Sequence, residues 1–418
     1  MDGPTILTAI EVFVALLGVA AIVAIVARPL RLPYTVALVL VGLVAGIGET
    51  EILRAPAPVV APEIVLVVLL PGLVFEAGYR LDLALLRRSL APLLILAMPG
   101  VLISASFVAV LLHLGTGLRL DLAFIVGAMV SATDPAAVIS TFRRLPVPRT
   151  LATVVEGESL LNDGTGLVVF GLAVGALSRP ISMPEALVTF VATVIFSGAI
   201  GVVAGFVAAR LMSLVDDHLI ELTISVVLAY GTYLLADTVH ESGIIATVMA
   251  AIVLGNYGRR ATMSATGVDA LDTVWEFLAY LLTALVFLLV GLAFPVTELP
   301  DSLGWIFWGV AGALLGRAVV VYLVLGAGAR LVPATRQRGV PLGWLNVLFW
   351  AGLRGAVAVA MALALPVSVP ERSLLQEITF GIVLFTVVVQ GTTAAAVVRR
   401  SVGGSEAGPE GTTEEASA

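Results

Sequence analysis

The sequence predicts an all-α integral membrane protein with about 13 transmembrane helices. Three observations support this fold class. Hydrophobic residues make up 60% of the 418 residues and charged residues only 12%, a more apolar composition than a soluble core requires. Apolar windows long enough to cross a bilayer recur along the chain, and basic residues concentrate in alternate connections between them.

Thirteen apolar windows have lengths near the ~20 residues that a helix needs to span ~30 Å of hydrocarbon. In chain order they are 5–27, 34–48, 59–79, 92–115, 122–142, 151–177, 184–214, 219–237, 242–257, 272–295, 304–328, 342–365 and 374–398. After Arg400 the chain is rich in Gly, Ser, Thr, Glu and Pro. We therefore expect a transmembrane domain over residues 1–400 and a disordered cytoplasmic tail over residues 401–418.

Basic residues predict the orientation of the chain. Sixteen of the 22 fall in alternate connections, four in the opposite connections and two inside windows. Because cytoplasmic loops are enriched in basic residues, this bias predicts an outside N-terminus and a cytoplasmic C-terminus. The sequence thus indicates a multi-pass protein of the cell (inner) membrane.

Composition excludes several classes of function. The chain has no cysteine, and its three histidines are scattered near window ends, so we expect no disulfide, no Cys or His metal site and no cofactor. The formal net charge of −7 comes partly from glutamates after Arg400. Nothing in the sequence indicates binding to nucleic acid.

Two windows contain sequences that interrupt a helix. In the fifth window, Ser131-Ala-Thr-Asp-Pro135 ends in a proline, which removes a backbone donor and disfavours helix at Asp134. A simple kink with Asp134 as a helix cap is the alternative. In the twelfth window, Ala351-Gly-Leu-Arg-Gly-Ala356 places an arginine between glycines, where it can bond freed carbonyls. An arginine that snorkels from a misplaced window end is the alternative here.

One interrupted helix in each half of the chain favours an inverted-repeat transporter with its site near the bilayer midplane. The sixth window fits this idea, since it carries Glu158, Asn162 and Asp163. Asp163 lies ~18 Å along the helix from Leu151, near the bilayer centre. An ionisable side chain at that depth is a functional-site candidate.

The ionisable residues at membrane depth do not balance. They are Glu76, Asp134, Glu158, Asp163, Arg317 and Arg354. Two arginines neutralise two carboxylates, so at least one carboxylate is left without a permanent partner. A lone buried carboxylate takes up a proton or a cation, and competition between them is the minimal chemistry of cation/proton exchange. The alternative is that every acid is structural and bonds only hydroxyls and amides.

Four motifs carry a family resemblance. They are Phe75-Glu-Ala-Gly78, Ser131-Ala-Thr-Asp-Pro135, Glu158-Ser-Leu-Leu-Asn-Asp-Gly164 and Gly352-Leu-Arg-Gly-Ala356. In order and spacing they resemble the sodium/proton antiporters of the cation/proton antiporter-1 family, and in particular its short-tailed prokaryotic members of the Asn-Asp type. The resemblance covers residues 5–398.

The resemblance implies a dimeric fold of thirteen helices that serves pH homeostasis. In that fold a core bundle with two crossed, discontinuous helices, spans 5 and 12, moves against a dimerisation domain. The implied partners are a monovalent cation, a proton, the lipid bilayer and a second copy of the chain.

The resemblance also implies roles for individual residues. Asp163 would bind the cation and the proton in turn. Ser159 and the backbone carbonyl of Thr133 would complete the Na⁺ site, and Glu76 would line the approach or coordinate through water.

Further residues would support the site by the same resemblance. Asn162 would bridge to the interrupted helices, and Glu158 would pair with Arg317. Asp134 and Arg354 would balance the opposed dipole ends of the half-helices, and Arg354 is also expected to neutralise Asp134.

The resemblance, together with one titrating carboxylate that releases one proton for each monovalent cation it binds, predicts exchange of Na⁺, or Li⁺, for H⁺ in an electroneutral 1:1 ratio. Exchange of K⁺ for H⁺ by the same fold is the nearest alternative. A cation channel, an organic-anion transporter and an intramembrane protease with Asp134 and Asp163 as its dyad belong to other classes. We do not expect an enzyme.

Overall fold

The computed structural model describes residues 3–30, 32–47, 64–142, 144–145, 147–294, 302–327 and 340–402. Within these ranges the chain forms helices and short connections, without strands. Eight of the described helices are long and apolar enough to cross a membrane. The chain is therefore an all-helical membrane protein.

The helices of the first half, up to the end of the sixth predicted window, are α1 (Gly3–Leu30), α2 (Tyr34–Ile47), α3 (Leu70–Arg80), α4 (Leu83–Arg88), α5 (Leu90–Ala97), α6 (Pro99–Thr116), α7 (Leu120–Met129), α8 (Ala136–Phe142) and α9 (Arg149–Ser178). The remaining helices are α10 (Met183–Met212), α11 (His218–Thr238), α12 (Gly243–Val253), α13 (Arg259–Ala261), α14 (Ala265–Leu292), α15 (Leu303–Ala318), α16 (Leu342–Trp350), α17 (Ala356–Leu363), α18 (Arg372–Phe385) and α19 (Gly391–Val402). π-helical turns adjoin α3, α12, α15 and α18.

Helical residues lie in each predicted window, but several windows hold short or interrupted helices, so the count of thirteen spans stays a prediction. The last helix continues to Val402, two residues into the stretch predicted as a tail. Residues 403–418 lie outside the described residues.

Polar residues set several helix ends. Asp217, Ser242 and Ser264 precede α11, α12 and α14, and each side chain accepts hydrogen bonds from backbone N–H groups of the first turn. These bonds satisfy donors that have no partner inside the helix. Gly117 ends α6 with a φ of 77°, a left-handed conformation that glycine adopts without strain.

Two interruptions lie where Pro135 and the glycines beside Arg354 predict them. The first interruption, residues 130–135, separates α7 from α8, and the second, residues 351–355, separates α16 from α17. The Asp134 N–H donates to the Leu353 carbonyl at 2.8 Å. The two interruptions thus satisfy each other's backbone, as non-helical backbone at membrane depth requires.

α9 lies among the elements that form the site. It packs against α5, α7 and α12, with further contacts to α3, α8 and α17. Close packing around the first interruption depends on Gly127 of α7, because a Cβ atom there would lie 2.2 Å from the Ala105 carbonyl oxygen of α6.

Candidate functional site

Asn162 of α9 binds the first interruption through both ends of its amide. Its Nδ2 donates to Thr133 Oγ1 at 2.6 Å, and its Oδ1 accepts from the Thr133 N–H at 3.2 Å. Both side chains are buried. Because the amide holds Thr133 at two atoms, the direction of the Thr133 carbonyl is fixed relative to α9.

Ser159 contacts the same residue one turn earlier on α9. Its Oγ donates to the Thr133 carbonyl oxygen at 2.6 Å. The structure therefore places two of the predicted ligands, the Ser159 hydroxyl and the Thr133 carbonyl, side by side. A hydroxyl keeps two acceptor lone pairs while it donates, so both oxygens can still face a cation.

Asp163 follows Asn162 and lies one helical turn after Ser159, half-buried in α9. In the part of the chain that the structure describes, its carboxylate forms no hydrogen bond or ion pair. The charged group near enough to interact with it electrostatically is Asp134. Asp163 is thus a carboxylate at membrane depth without a fixed partner.

Asp134 lies where two half-helices begin. Its Oδ1 accepts from the Ala136 N–H at 3.0 Å, at the start of α8. Its carboxylate also receives the Ala356 N–H, at the start of α17, and lies against Gly355. Because helix N-termini carry partial positive charge, this position stabilises an ionised carboxylate.

Arg354 is buried at a helix C-terminus, whereas Asp134 lies at helix N-termini. Its Nη1 donates to the Ser131 and Ala132 carbonyls at 2.7 and 3.2 Å, just after α7. Its backbone N–H donates to Thr386 Oγ1 at 3.0 Å. A cation at a helix C-terminus balances the partial negative charge of the free carbonyls.

From the sequence we expected Arg354 to neutralise Asp134 directly. The structure shows no ion pair between these two side chains. Among the described residues, the charged groups that act on Arg354 are Arg317 and Glu158. The physical reason is that each group is stabilised by backbone: Asp134 by N–H groups and Arg354 by carbonyls. Helix ends, rather than a direct ion pair, neutralise the two side chains.

Glu158 and Arg317 form a buried ion pair between α9 and α15. Arg317 Nη2 donates to Glu158 Oε2 at 2.9 Å, and Nη1 donates to Oε1. Nη2 also donates to the Leu348 carbonyl at 2.6 Å, which connects the pair to α16. A bidentate pair with an added backbone bond is the geometry in which buried ions compensate their loss of hydration.

Glu76 lies on α3 with its side chain 16% exposed, and its Oε1 is 2.6 Å from Arg80 Nε. Arg80 Nη2 also contacts Glu276 Oε2 of α14 at 3.1 Å. Glu76, which we predicted to line the approach of the transported cation, is thus paired with the guanidinium group of Arg80. The spacing of four residues between Glu76 and Arg80 is a signal in the sequence that our prediction did not use.

Other contacts at the site had no signal in the sequence. Thr386, which binds the Arg354 backbone, lies in a π-helical turn within an apolar run. The carbonyls of Leu348 and Leu353 belong to residues whose side chains give no indication of a polar role.

Known proteins are similar to this chain in sequence and in fold. The family described as "Sodium/hydrogen exchanger, transmembrane" matches residues 16–400. The Na(+)/H(+) antiporter ApNhaP of Aphanothece halophytica is 36% identical over 92% of this chain and 72% of its own length. The Na(+)/H(+) antiporter NhaH of Halobacillus aidingensis is 33% identical over 92% of this chain and 96% of its own length.

A solved structure extends the likeness to the fold. The sodium proton antiporter MjNhaP1 of Methanocaldococcus jannaschii at pH 8 superposes with a TM-score of 0.74 and 19% identity, over 95% of this chain and 99% of that chain. At this identity the likeness concerns the fold, while the family match and the closer relatives concern the sequence. Together they establish that the chain belongs to the sodium/hydrogen exchanger family of transmembrane proteins.

Proposed function

We propose that the protein is a secondary active antiporter that exchanges Na⁺, or Li⁺, for H⁺, with both ions competing for Asp163. The observation that carries this proposal is the absence of a fixed partner on the Asp163 carboxylate within the described ranges. The names of the similar proteins, which are Na⁺/H⁺ antiporters, support the same activity. One carboxylate that accepts either ion is sufficient for exchange.

The charges of the buried cluster support a 1:1 ratio. Asp134 and Glu158 contribute two negative charges, and Arg317 and Arg354 contribute two positive charges, so these four groups sum to zero. Asp163 adds one negative charge, which one proton or one monovalent cation neutralises. Exchange of one for the other moves no net charge, so we propose that transport is electroneutral.

The same charges explain why the two fluxes would be coupled. With Asp163 empty the cluster carries a net negative charge, and moving an unpaired charge through an apolar barrier is unfavourable. With a proton or a cation bound the cluster is neutral. The site would therefore change its exposure only when it is loaded, which makes each crossing exchange one ion for another.

Three oxygens would form the core of the Na⁺ site: the Asp163 carboxylate, the Ser159 hydroxyl and the Thr133 carbonyl. The hydrogen bond between Ser159 and Thr133 keeps two of them adjacent at 2.6 Å. Asn162 would act as a brace that holds Thr133, and Glu76 would attract the cation on its approach. Oxygen ligands of this kind replace the hydration shell of an alkali cation.

Alternating access would follow the family resemblance. A core bundle that holds the two interruptions, crossed at the site, would move against a dimerisation domain in a homodimer. The contact between Asp134 N and the Leu353 carbonyl supports a bundle in which the two interruptions move as one unit. We place the N-terminus outside and the C-terminus in the cytoplasm of the cell membrane.

Exchange of K⁺ for H⁺ is the second candidate, because the same three oxygens can coordinate a larger alkali cation. A cation channel is less compatible with the buried cluster, since carboxylates and arginines bonded at this depth would obstruct continuous conduction of cations. An exchanger saturates with cation concentration and follows the imposed pH gradient, which separates it from a channel.

Proteoliposomes with an internal pH dye test the proposal. Addition of Na⁺, Li⁺ or K⁺ outside should move H⁺ in the opposite direction, with K⁺ the weakest if the first candidate is right. Asp163→Asn should lose this flux, because an amide carries no charge and does not exchange a proton near neutral pH. Asp269→Asn, at an exposed aspartate of α14 outside the site, is the control for the same substitution elsewhere and should retain it. Flux that persists in Asp163→Asn would refute the proposal.

A further inference from the structure

Two neighbouring cavities open at the arginine-rich ends of the helices. One has a volume of about 220 Å³ and is lined by Arg28, Tyr34, Arg144 and Tyr280, among others. The other has a volume of about 470 Å³ and is lined by Arg144, Arg399 and the hydroxyls of Ser140, Thr141 and Thr392, among others. Arg144 lines both, so the two cavities are adjacent, and we refer to them together as the basic pocket.

Among the residues that the structure describes, the basic pocket contains positive charge without a counter-ion. No carboxylate is among the described lining residues, and none of Arg28, Arg144 and Arg399 forms an ion pair within the described ranges. Elsewhere on the same side the contrast is clear, since Arg80 contacts Glu76 and Arg259 contacts Asp272. Three arginines that line adjacent cavities, with no acid among the described lining residues, repel a cation and attract an anion, so this pocket does not suit the path of Na⁺.

The chemistry of the lining residues fits a phosphate group. Guanidinium groups present paired N–H donors that match two oxygens of a phosphate. Ser140 and Thr392 now donate to carbonyls of their own helices, and their hydroxyls can rotate towards a ligand. The stacked rings of Tyr34 and Tyr280, with centroids 5.4 Å apart, form an amphipathic wall beside the arginines.

The position of the pocket fits a lipid rather than a solute. Arg28 lies in the last turn of α1, Arg144 follows the end of α8, and Arg399 lies in the last turn of α19. These are the helix ends on the predicted cytoplasmic side, where the leaflet carries anionic lipids. Ala24, Ala27 and Leu32 add apolar surface next to the basic groups.

We infer that the basic pocket binds the phosphate of an anionic lipid headgroup between Arg28, Arg144 and Arg399. Its walls come from α1, α2 and α14 on one side and from α8 and α19 on the other. A bound phosphate bridges these helices and stabilises their observed arrangement. The inference concerns binding alone and stands independently of the transported ion.

The test uses the full-length protein in detergent. Phosphatidylglycerol, titrated against phosphatidylcholine, is expected to raise the melting temperature (Tm) in a saturable way and to remain bound in native mass spectrometry, whereas phosphatidylcholine does neither. Arg144→Gln should weaken phosphatidylglycerol binding by roughly tenfold, the size expected for a lost charge-assisted hydrogen bond. Arg144→Lys should fall between, since it keeps the charge without the paired donors.

Matched controls separate the pocket from general surface charge. Arg400→Gln removes a charge next to Arg399 but outside the pocket lining. Arg210→Gln removes a charge from the last turn of α10, which also lies on the predicted cytoplasmic side. Both should bind phosphatidylglycerol like the native chain. Equal losses in all three Gln variants would overturn the inference in favour of diffuse attraction.

Two further arms identify the ligand. Glycerol phosphate should bind much more weakly than phosphatidylglycerol; equal affinity would overturn the assignment to a lipid and indicate a free phosphate. A full-length variant with glutamine at Glu406, Glu410, Glu414 and Glu415 should bind phosphatidylglycerol like the native chain. If the lipid binds only to that variant, these glutamates occupy the pocket and the inference is wrong.

Discussion

At the scale of single residues, Asp163 differs from the other ionised groups near it. Asp134 and Arg354 are stabilised by backbone at helix ends, and Glu158 and Arg317 by each other. Asp163 has no such partner among the residues described. A group whose charge is not already satisfied is the group that can change its occupant.

Glu76 differs from Asp163, because its carboxylate forms an ion pair with Arg80. If Glu76 attracts the incoming cation, the Arg80 guanidinium competes with that cation. Arg80→Gln should then lower the apparent KM for Na⁺, by about threefold for a partly exposed ion pair.

Sodium-dependent H⁺ flux in proteoliposomes measures this effect. Arg87→Gln, an exposed arginine of α4 on the same side, is the control and should leave KM unchanged. An unchanged KM in Arg80→Gln would remove Glu76 from the cation's approach.

At the scale of elements, the two interruptions depend on close contact between backbone and side chain. A Cβ atom on Gly355 would lie 2.1 Å from Asp134 Oδ2. Gly355→Ala should therefore displace Asp134 from the starts of α8 and α17 and lower both Tm and transport. Gly171→Ala on α9, where a Cβ would meet nothing within 4 Å, is the control. Equal Tm for the two variants would contradict this account of the interruptions.

Arg354 binds carbonyls of the other interruption, so its loss leaves buried acceptors without donors. Arg354→Ala should lower the free energy of unfolding by roughly 3 kcal/mol, in the range for loss of a buried charged partner. The ratio of the KM values for Na⁺ and Li⁺ should not change. Thermal unfolding and flux assays measure the two quantities, and a well-folded variant with altered ion preference would move Arg354 into the binding site.

The sequence predicted where the helices of the site are interrupted better than it predicted which groups of the two interruptions contact each other. Pro135 and the glycines around Arg354 predict where helices end, because these residues act locally on the backbone. The bond from Asp134 N to the Leu353 carbonyl depends on how two distant segments align, and no local pattern encodes that alignment. For the same reason the sequence suggested that Asp134 and Arg354 pair, although each binds backbone groups instead.

At the scale of the whole molecule, the proposed exchange leaves the charge of the site unchanged, because Asp134, Glu158, Arg317 and Arg354 sum to zero and Asp163 is neutralised by either a proton or a cation. Exchange should then be independent of membrane potential. In proteoliposomes, Na⁺-driven H⁺ flux should proceed at the same initial rate with and without valinomycin and K⁺. A flux that stalls without valinomycin and resumes with it would show that net charge moves, and would contradict the 1:1 ratio.

The most direct test of competition at Asp163 is the number of protons released when Na⁺ binds. Saturating Na⁺ is added to the purified protein in weakly buffered detergent solution, over a series of starting pH values. We predict release that reaches and does not exceed one proton per chain, and none from Asp163→Asn. Release from Asp163→Asn, or more than one proton per native chain, would contradict the account.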